Sequence, residues 1–207
     1  MEFSLLEKLK VPSLLVAMPQ LQDPNFVRAV LLMVELNDEG AMGLILNRPS
    51  ELPLAAVLDG PGIEIPRQVP TWTGGPVGTS HGLILTIDKN FPPAPDDITT
   101  PDFAVSSSEH CLANLINYAE DFDEEEAKQQ QSKGAAVLYP YRFLVGYSGW
   151  GAQQLETEIK EGSWISLPYD HDLVFNTPWP KLWDKAIAKL GIKPTDISTA
   201  QTSTYLN

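Results

Sequence analysis

Gly146-Tyr147-Ser148-Gly149 follows an apolar run, Ala135 to Val145, and precedes a helix-like segment. Strand, sharp turn and helix is the order of a nucleophile elbow, where a serine hydroxyl attacks an acyl carbon. The elbow also needs a small residue two positions after the serine, and here that position holds Trp150. A serine nucleophile further requires a base and an orienting acid. The three histidines, His81, His110 and His171, stand in no hydrolase-like context, and His171 lies within a polar YDHD turn. Ser148 is therefore the alternative catalytic residue, and the leading expectation is that there is none.

Two other stretches place polar groups where chemistry or binding could occur. GGPVGTSHG, Gly74 to Gly82, could turn backbone N–H groups toward an anion. It lacks the Lys-Ser/Thr ending of a P-loop and the spacing of a dinucleotide fingerprint, so it reads as a tight turn between strands. Asp23, Arg28, Asn47 and Arg48 border apolar runs, where they could form a pocket rim or an internal set of turn caps and ion pairs. No metal site or cofactor is expected, because the lone cysteine, Cys111, has no obvious partners for zinc. Cys111 sits beside the apolar face of a predicted helix and reads as a packed, unreactive thiol.

Composition limits the partners. The 207 residues carry 27 acidic against 14 basic side chains, a formal net charge of −13. Such a field repels nucleic-acid phosphates and anionic lipid, and no cluster of Lys and Arg offsets it locally. With 43% hydrophobic residues the chain can bury a core as one domain spanning 1–207. No apolar run reaches the roughly 20 residues of a membrane span, and MEFSLLEKLK lacks a signal-peptide cleavage site, which predicts a cytoplasmic protein. The acidic and polar stretch from about 121 to 134 reads as a mobile loop.

These residues must be positioned by a mixture of strands and helices. Ser13 to Met18 is a buried strand closed by Pro19, and Val30 to Glu35 pairs through the NDEG turn with a return strand reaching Asn47. Ser50 caps a short helix over Glu51 to Leu58, Asp59 to Pro70 is a connection, and Gly82 to Ile87 is a strand. Lys89 to Pro101 is an irregular loop, followed by a helix from about Ser107 with Ser106-x-x-Glu109 as its capping box. A helix beginning at Ser148 or Gly149 turns Ala152, Leu155 and Ile159 inward, pairs Glu156 with Lys160 and ends at Gly162. Thr177-Pro178 opens a last helix with an apolar stripe from Leu182 to Leu190, ended by Gly191 and Pro194. Irregular alternation and a hairpin predict an α+β fold.

Four motifs together carry a family resemblance: AMPQLQDPNFVRAV (Ala17 to Val30), NDEGAMGLILNRP (Asn37 to Pro49), GGPV (Gly74 to Val77) and GYSGWGAQQLETEI (Gly146 to Ile159). Their order and spacing resemble the bacterial YqgE/AlgH family over almost the whole chain. The resemblance implies a single α+β domain whose bent, antiparallel-rich sheet forms an incomplete barrel flanked by helices. It implies no particular reaction, although one branch carries a transcriptional-regulator label. The chain departs from the family where relatives resemble LCEHN, reading MVELN with Val34 and Leu36 in place of Cys and His. It departs again where relatives read RGFxLH after GGP and this chain has His81 to Thr86. The family pattern also admits Ala at the position of Ser148.

The expected function is that of a non-catalytic binding or protein-interaction module, with any regulatory role indirect. Its expected surface comprises Asp23, Arg28, Asn47, Arg48, Gly75, Trp150 and Gln154, facing an unknown protein or small-molecule partner. The first alternative is a hydrolase-like enzyme using Ser148. The second is a regulator that contacts DNA directly, which the net charge disfavours.

Overall fold

The computed structural model describes residues 9–58, 69–121 and 140–191. The 121–134 stretch beyond its first residue, most of the 59–70 connection and Pro194 lie outside these residues. Among the described residues nine strands form one open sheet: β1 (Ser13–Ala17), β2 (Val30–Asn37), β3 (Gly40–Ile45), β4 (Thr71–Thr73), β5 (Val77–Thr86), β6 (Ile98–Thr99), β7 (Ala104–Ser106), β8 (Tyr141–Gly151) and β9 (Trp164–Pro168). The main path runs β6-β7-β5-β8-β3-β2-β1-β9, with β4 joined to β8 alongside it. All pairings are antiparallel except β4 with β8.

Alternation along β1, β2 and β3 divides the core between the two faces of the sheet. Leu14, Val16, Val30, Leu32 and Leu44 face one cluster with Leu173, Val174 and Phe175 and with the final helix, α4 (Trp179–Lys189). Leu182, Trp183, Ala186 and Ile187 supply the buried stripe of α4. Leu15, Ala17, Leu31, Met33 and Ile45 face the opposite cluster, with Trp150, Trp164 and Leu155 of α3 (Gln154–Lys160). β1 is consequently buried on both faces, and its unbroken apolar run follows from that position. A third cluster packs Cys111, Leu115 and Ala119 of α2 (Glu109–Asp121) on Ile84 and Phe143.

The predicted β2–β3 hairpin forms, with the Asn37 carboxamide accepting bonds from the N–H groups of Glu39 and Gly40 at 2.9 and 3.1 Å. Ser50 caps a turn through the Leu52 N–H, and the helix after it, α1, is a single turn from Leu54 to Val57. The strand predicted from Gly82 begins earlier, at Val77, and the predicted irregular loop contains β6. Ser108, not Ser106, caps α2 by accepting from the Cys111 N–H at 3.3 Å; Ser106 instead donates to the Ser108 hydroxyl.

The largest correction concerns the GYSG turn. β8 runs straight through it to Gly151, pairing Ser148 with Gly43, Gly149 with Met42 and Trp150 with Ala41. Pairing to β3 outweighs the local turn chemistry of Gly and Ser, as tertiary context does for β propensity in general. The helix therefore starts at Gln154, and Ala152 is exposed rather than inward. Its other features hold: Glu156 pairs with Lys160 at 3.0 Å, and Gly162, at φ 78°, ends it. Near its middle β8 changes neighbours, pairing with β4 through Val145 and with β3 from Ser148.

Candidate functional site

Four of the expected site residues meet at one turn, residues 23–28. The Asp23 carboxylate accepts from the Asn25 N–H at 2.8 Å, and the Asp23 carbonyl accepts from Phe26 and Val27 at 2.9 and 2.7 Å. An Asp-Pro-Asn sequence is suited to this, because Asp closes the turn and Pro presets its backbone angle. Two residues from beyond β3 hold the turn down. Arg48 donates to the carbonyls of Val27 and Asn25 at 2.9 and 3.4 Å. Asn47 accepts from the Val30 N–H at 2.9 Å and donates to the Arg28 carbonyl at 2.8 Å.

Arg28, whose carbonyl takes the second of those Asn47 bonds, adopts φ 55°, a left-handed conformation that costs a non-glycine residue roughly 1–2 kcal/mol. The strained backbone directs its guanidinium over the Trp183 ring, 4.5 Å from the centroid, and onto Asp184 at 2.7 Å. Both charged side chains remain exposed, at 59% and 45%, so the pair stabilises by only about 0–1 kcal/mol. Strain of this kind persists where surrounding structure over-determines it, and the Asn47 and Arg48 bonds do so here. Asn47 and Arg48 are thus supports, while Asp23 and Arg28 are presented.

Phe26 connects the turn to a cluster of aromatic rings. It stacks on Trp150 at 6.3 Å and meets Trp164 edge-on at 5.4 Å. Both indoles donate to one carboxylate oxygen of Glu158, at 3.0 and 2.7 Å, and Gln154 donates to its other oxygen at 3.0 Å. Trp150 is only 6% exposed, so its role is packing beneath the surface. Gln154 lies at the edge of this network and also accepts from the Gly151 N–H at 3.1 Å. The sequence reading gave no role to Glu158, Phe26 or Asp184. The acceptor of the Trp150 indole lies on the helix after the strand, at a spacing that no periodicity reveals.

Gly75 lies elsewhere. A Cβ there would come within 2.2–2.4 Å of the Tyr147 carbonyl and the Ser148 nitrogen, and one on Gly74 would lie 2.2 Å from the Gly146 carbonyl oxygen. Those backbones touch directly, so GGPV and GYSG are two sides of one crossing. Ser148 is fully buried at that crossing and donates to the Gly74 carbonyl at 3.3 Å. His81 meets Ser80, and His171 meets Tyr169 and the Phe175 ring, so neither is bonded to Ser148.

Among the described residues no three His, Cys, Asp or Glu side chains cluster in a way that could hold a metal. Burial pushes the Cys111 thiol up to about 12, which keeps it protonated at neutral pH. Arg142 is different: loss of solvation pulls its pKa down to about 10, although part of the side chain reaches solvent. It stays charged near neutrality.

The AlgH-like family model, DUF179, matches residues 14–195. The chain belongs to the AlgH-like family. It is 37% identical over 193 residues to a UPF0301 protein of Vibrio cholerae, covering 89% of this chain and 94% of that one. A UPF0301 protein of Thioalkalivibrio sulfidiphilus is 35% identical over 188 residues, covering 89% and 91%. The solution structure of AlgH from Pseudomonas aeruginosa superposes with a TM-score of 0.66 at 30% identity, covering 90% and 91%. Protein DIP2367 of Corynebacterium diphtheriae, 19% identical, shares the fold with a TM-score of 0.58 over 91% and 94%. The AlgH-like architecture is therefore an α+β domain on an open sheet, and among its described residues no helix is long and apolar enough to cross a membrane.

Proposed function

We propose that this AlgH-like chain is a binding module without chemistry of its own, and that the 23–28 turn is its recognition surface. One observation carries the reading: Arg28 is held in a strained left-handed conformation by Asn47, with its charged end exposed beside Asp184. A glycine at that position would carry no such strain but would give up the exposed cation, which supports a role for the side chain. Burial of the Ser148 hydroxyl in mid-strand argues against the hydrolase alternative. The net charge of −13 argues for a partner other than nucleic acid, and any regulatory effect then passes through that partner.

A photo-crosslinking side chain placed at exposed Asn25 tests this in cells, with exposed Asp96 as the control position. The expected outcome is a discrete adduct from position 25 that position 96 does not form. Adducts from both positions, or none from position 25, would remove the turn from consideration.

A further inference from the structure

Arg142 stands in β8 opposite Leu85, two residues before buried Leu144, and its alternation directs it to the side of the sheet lined by Leu85 and Leu144. Its guanidinium donates to the carbonyls of Leu46 and Val174 at 3.0 and 3.3 Å and lies 4.8 Å from the Trp72 ring centroid. These accept or face the cation without carrying a negative charge. Among the described residues no carboxylate bonds to it, and the remaining N–H groups of its five-donor fork have no protein acceptor.

The Val174 carbonyl is available for a structural reason. It lies in the last turn of a π-helical segment, Asp172–Asn176, and the backbone turns extended at Thr177, so no helical N–H follows to bond it. Rare π-turns cluster at functional sites, and this one aims its free carbonyl at the guanidinium. Leu46 from the end of β3, Trp72 from β4 and Val174 from the turn thus fix the orientation of the fork while leaving its charge uncompensated. A cation withdrawn from water in this way is costly unless an anion joins it. Its side chain is still partly open to solvent, so an anion can reach it.

We propose that Arg142 anchors a site for a small monocarboxylate with an apolar or aromatic body, the guanidinium holding the carboxylate and Trp72 covering the body. A planar fork matches a carboxylate in two-point contact. The single charge of Arg142 suits a monoanion, whereas a chain of net charge −13 opposes multiply charged ligands. Half-buried Trp72 is the apolar surface beside the fork, with Leu46, Leu85, Leu144 and Val174 fully buried behind it. This site uses different residues from the 23–28 turn and stands independently of it.

Full-length protein titrated with benzoate, and separately with its neutral isostere benzamide, tests the site by NMR of the Trp72 indole and Arg142 guanidinium. Benzoate is expected to shift both signals saturably, and benzamide to bind at least about tenfold more weakly. Arg142→Met, which keeps the stem, is expected to lose benzoate binding by a similar factor. Equal binding of the two probes, no response to benzoate through the millimolar range, or unchanged binding in folded Arg142→Met would overturn the proposal. Inorganic phosphate binding as well as benzoate would overturn the monocarboxylate class. If Arg142→Met does not fold, the benzoate and benzamide comparison on the wild-type chain decides alone.

Discussion

Cys111 and Ser148 both carry groups capable of nucleophilic attack, and burial silences both. For Cys111 the consequence is measurable as pH dependence. Burial raises its folded pKa from 9.0 to about 12, so the unfolded chain releases the proton first. The stability it contributes is complete below pH 9.0 and is lost as pH rises through about 12. In urea unfolding between those pH values, Cys111→Ala is therefore expected to lose less stability than the wild type. Tyr141, raised by burial, by its bond to Asp88 and in smaller part by the Cys111 charge, is present in both proteins; the part due to Cys111 disappears with the thiol and adds to the expected difference in the same direction. Parallel decline of the two would contradict the assignment. At this scale the sequence was readable where a residue acts locally, as with Asn37 in its turn. It was silent on Arg28 with Asp184, whose contact spans 156 positions, and on Glu158, which gathers two indoles that no periodicity links.

Among elements, β8 decides the architecture, because it carries β5 along one edge and β4 then β3 along the other. Its change of neighbour occurs at Gly146, φ 71°, where the Gly74-Gly75 backbone crosses it. That crossing explains why GGPV and GYSG both read locally as turns: each has the small residues of a turn, but uses them for contact between backbones. The misplacement of a helix start at Ser148 has the same origin. The prediction at this scale is severe destabilisation by Gly75→Ala, on the order of 4 kcal/mol or more, since the nearest atoms are backbone and cannot rotate away. Thermal unfolding of purified Gly75→Ala beside wild type measures it. A loss below about 1 kcal/mol would show that the two motifs do not lock each other. α4, by contrast, was legible throughout, because its stripe, its opening Pro178 and its closing Gly191 are all local.

For the whole molecule, the α+β class and the open sheet follow from the mixed patterns and from motifs shared along nearly the full chain. The candidate site was legible in part: Asp23, Arg28, Asn47 and Arg48 do converge, because the motifs that contain them pack against each other. Gly75 does not belong with them, and Trp150 and Gln154 lie beneath and beside the surface through Phe26 and Glu158. What the sequence could not separate is support from display, since Asn47 and Arg28 are both polar residues at the ends of apolar runs. The central claim is that the chain works by presenting the Arg28 turn to a partner. Native mass spectrometry of the wild type and of Arg28→Ala, each isolated from its own cells under gentle conditions, addresses it most directly. The wild type is expected to retain a bound species of defined mass, and folded Arg28→Ala to retain it at a level at least about tenfold lower. Equal retention by the two proteins, or a wild-type chain that carries nothing, would contradict the claim.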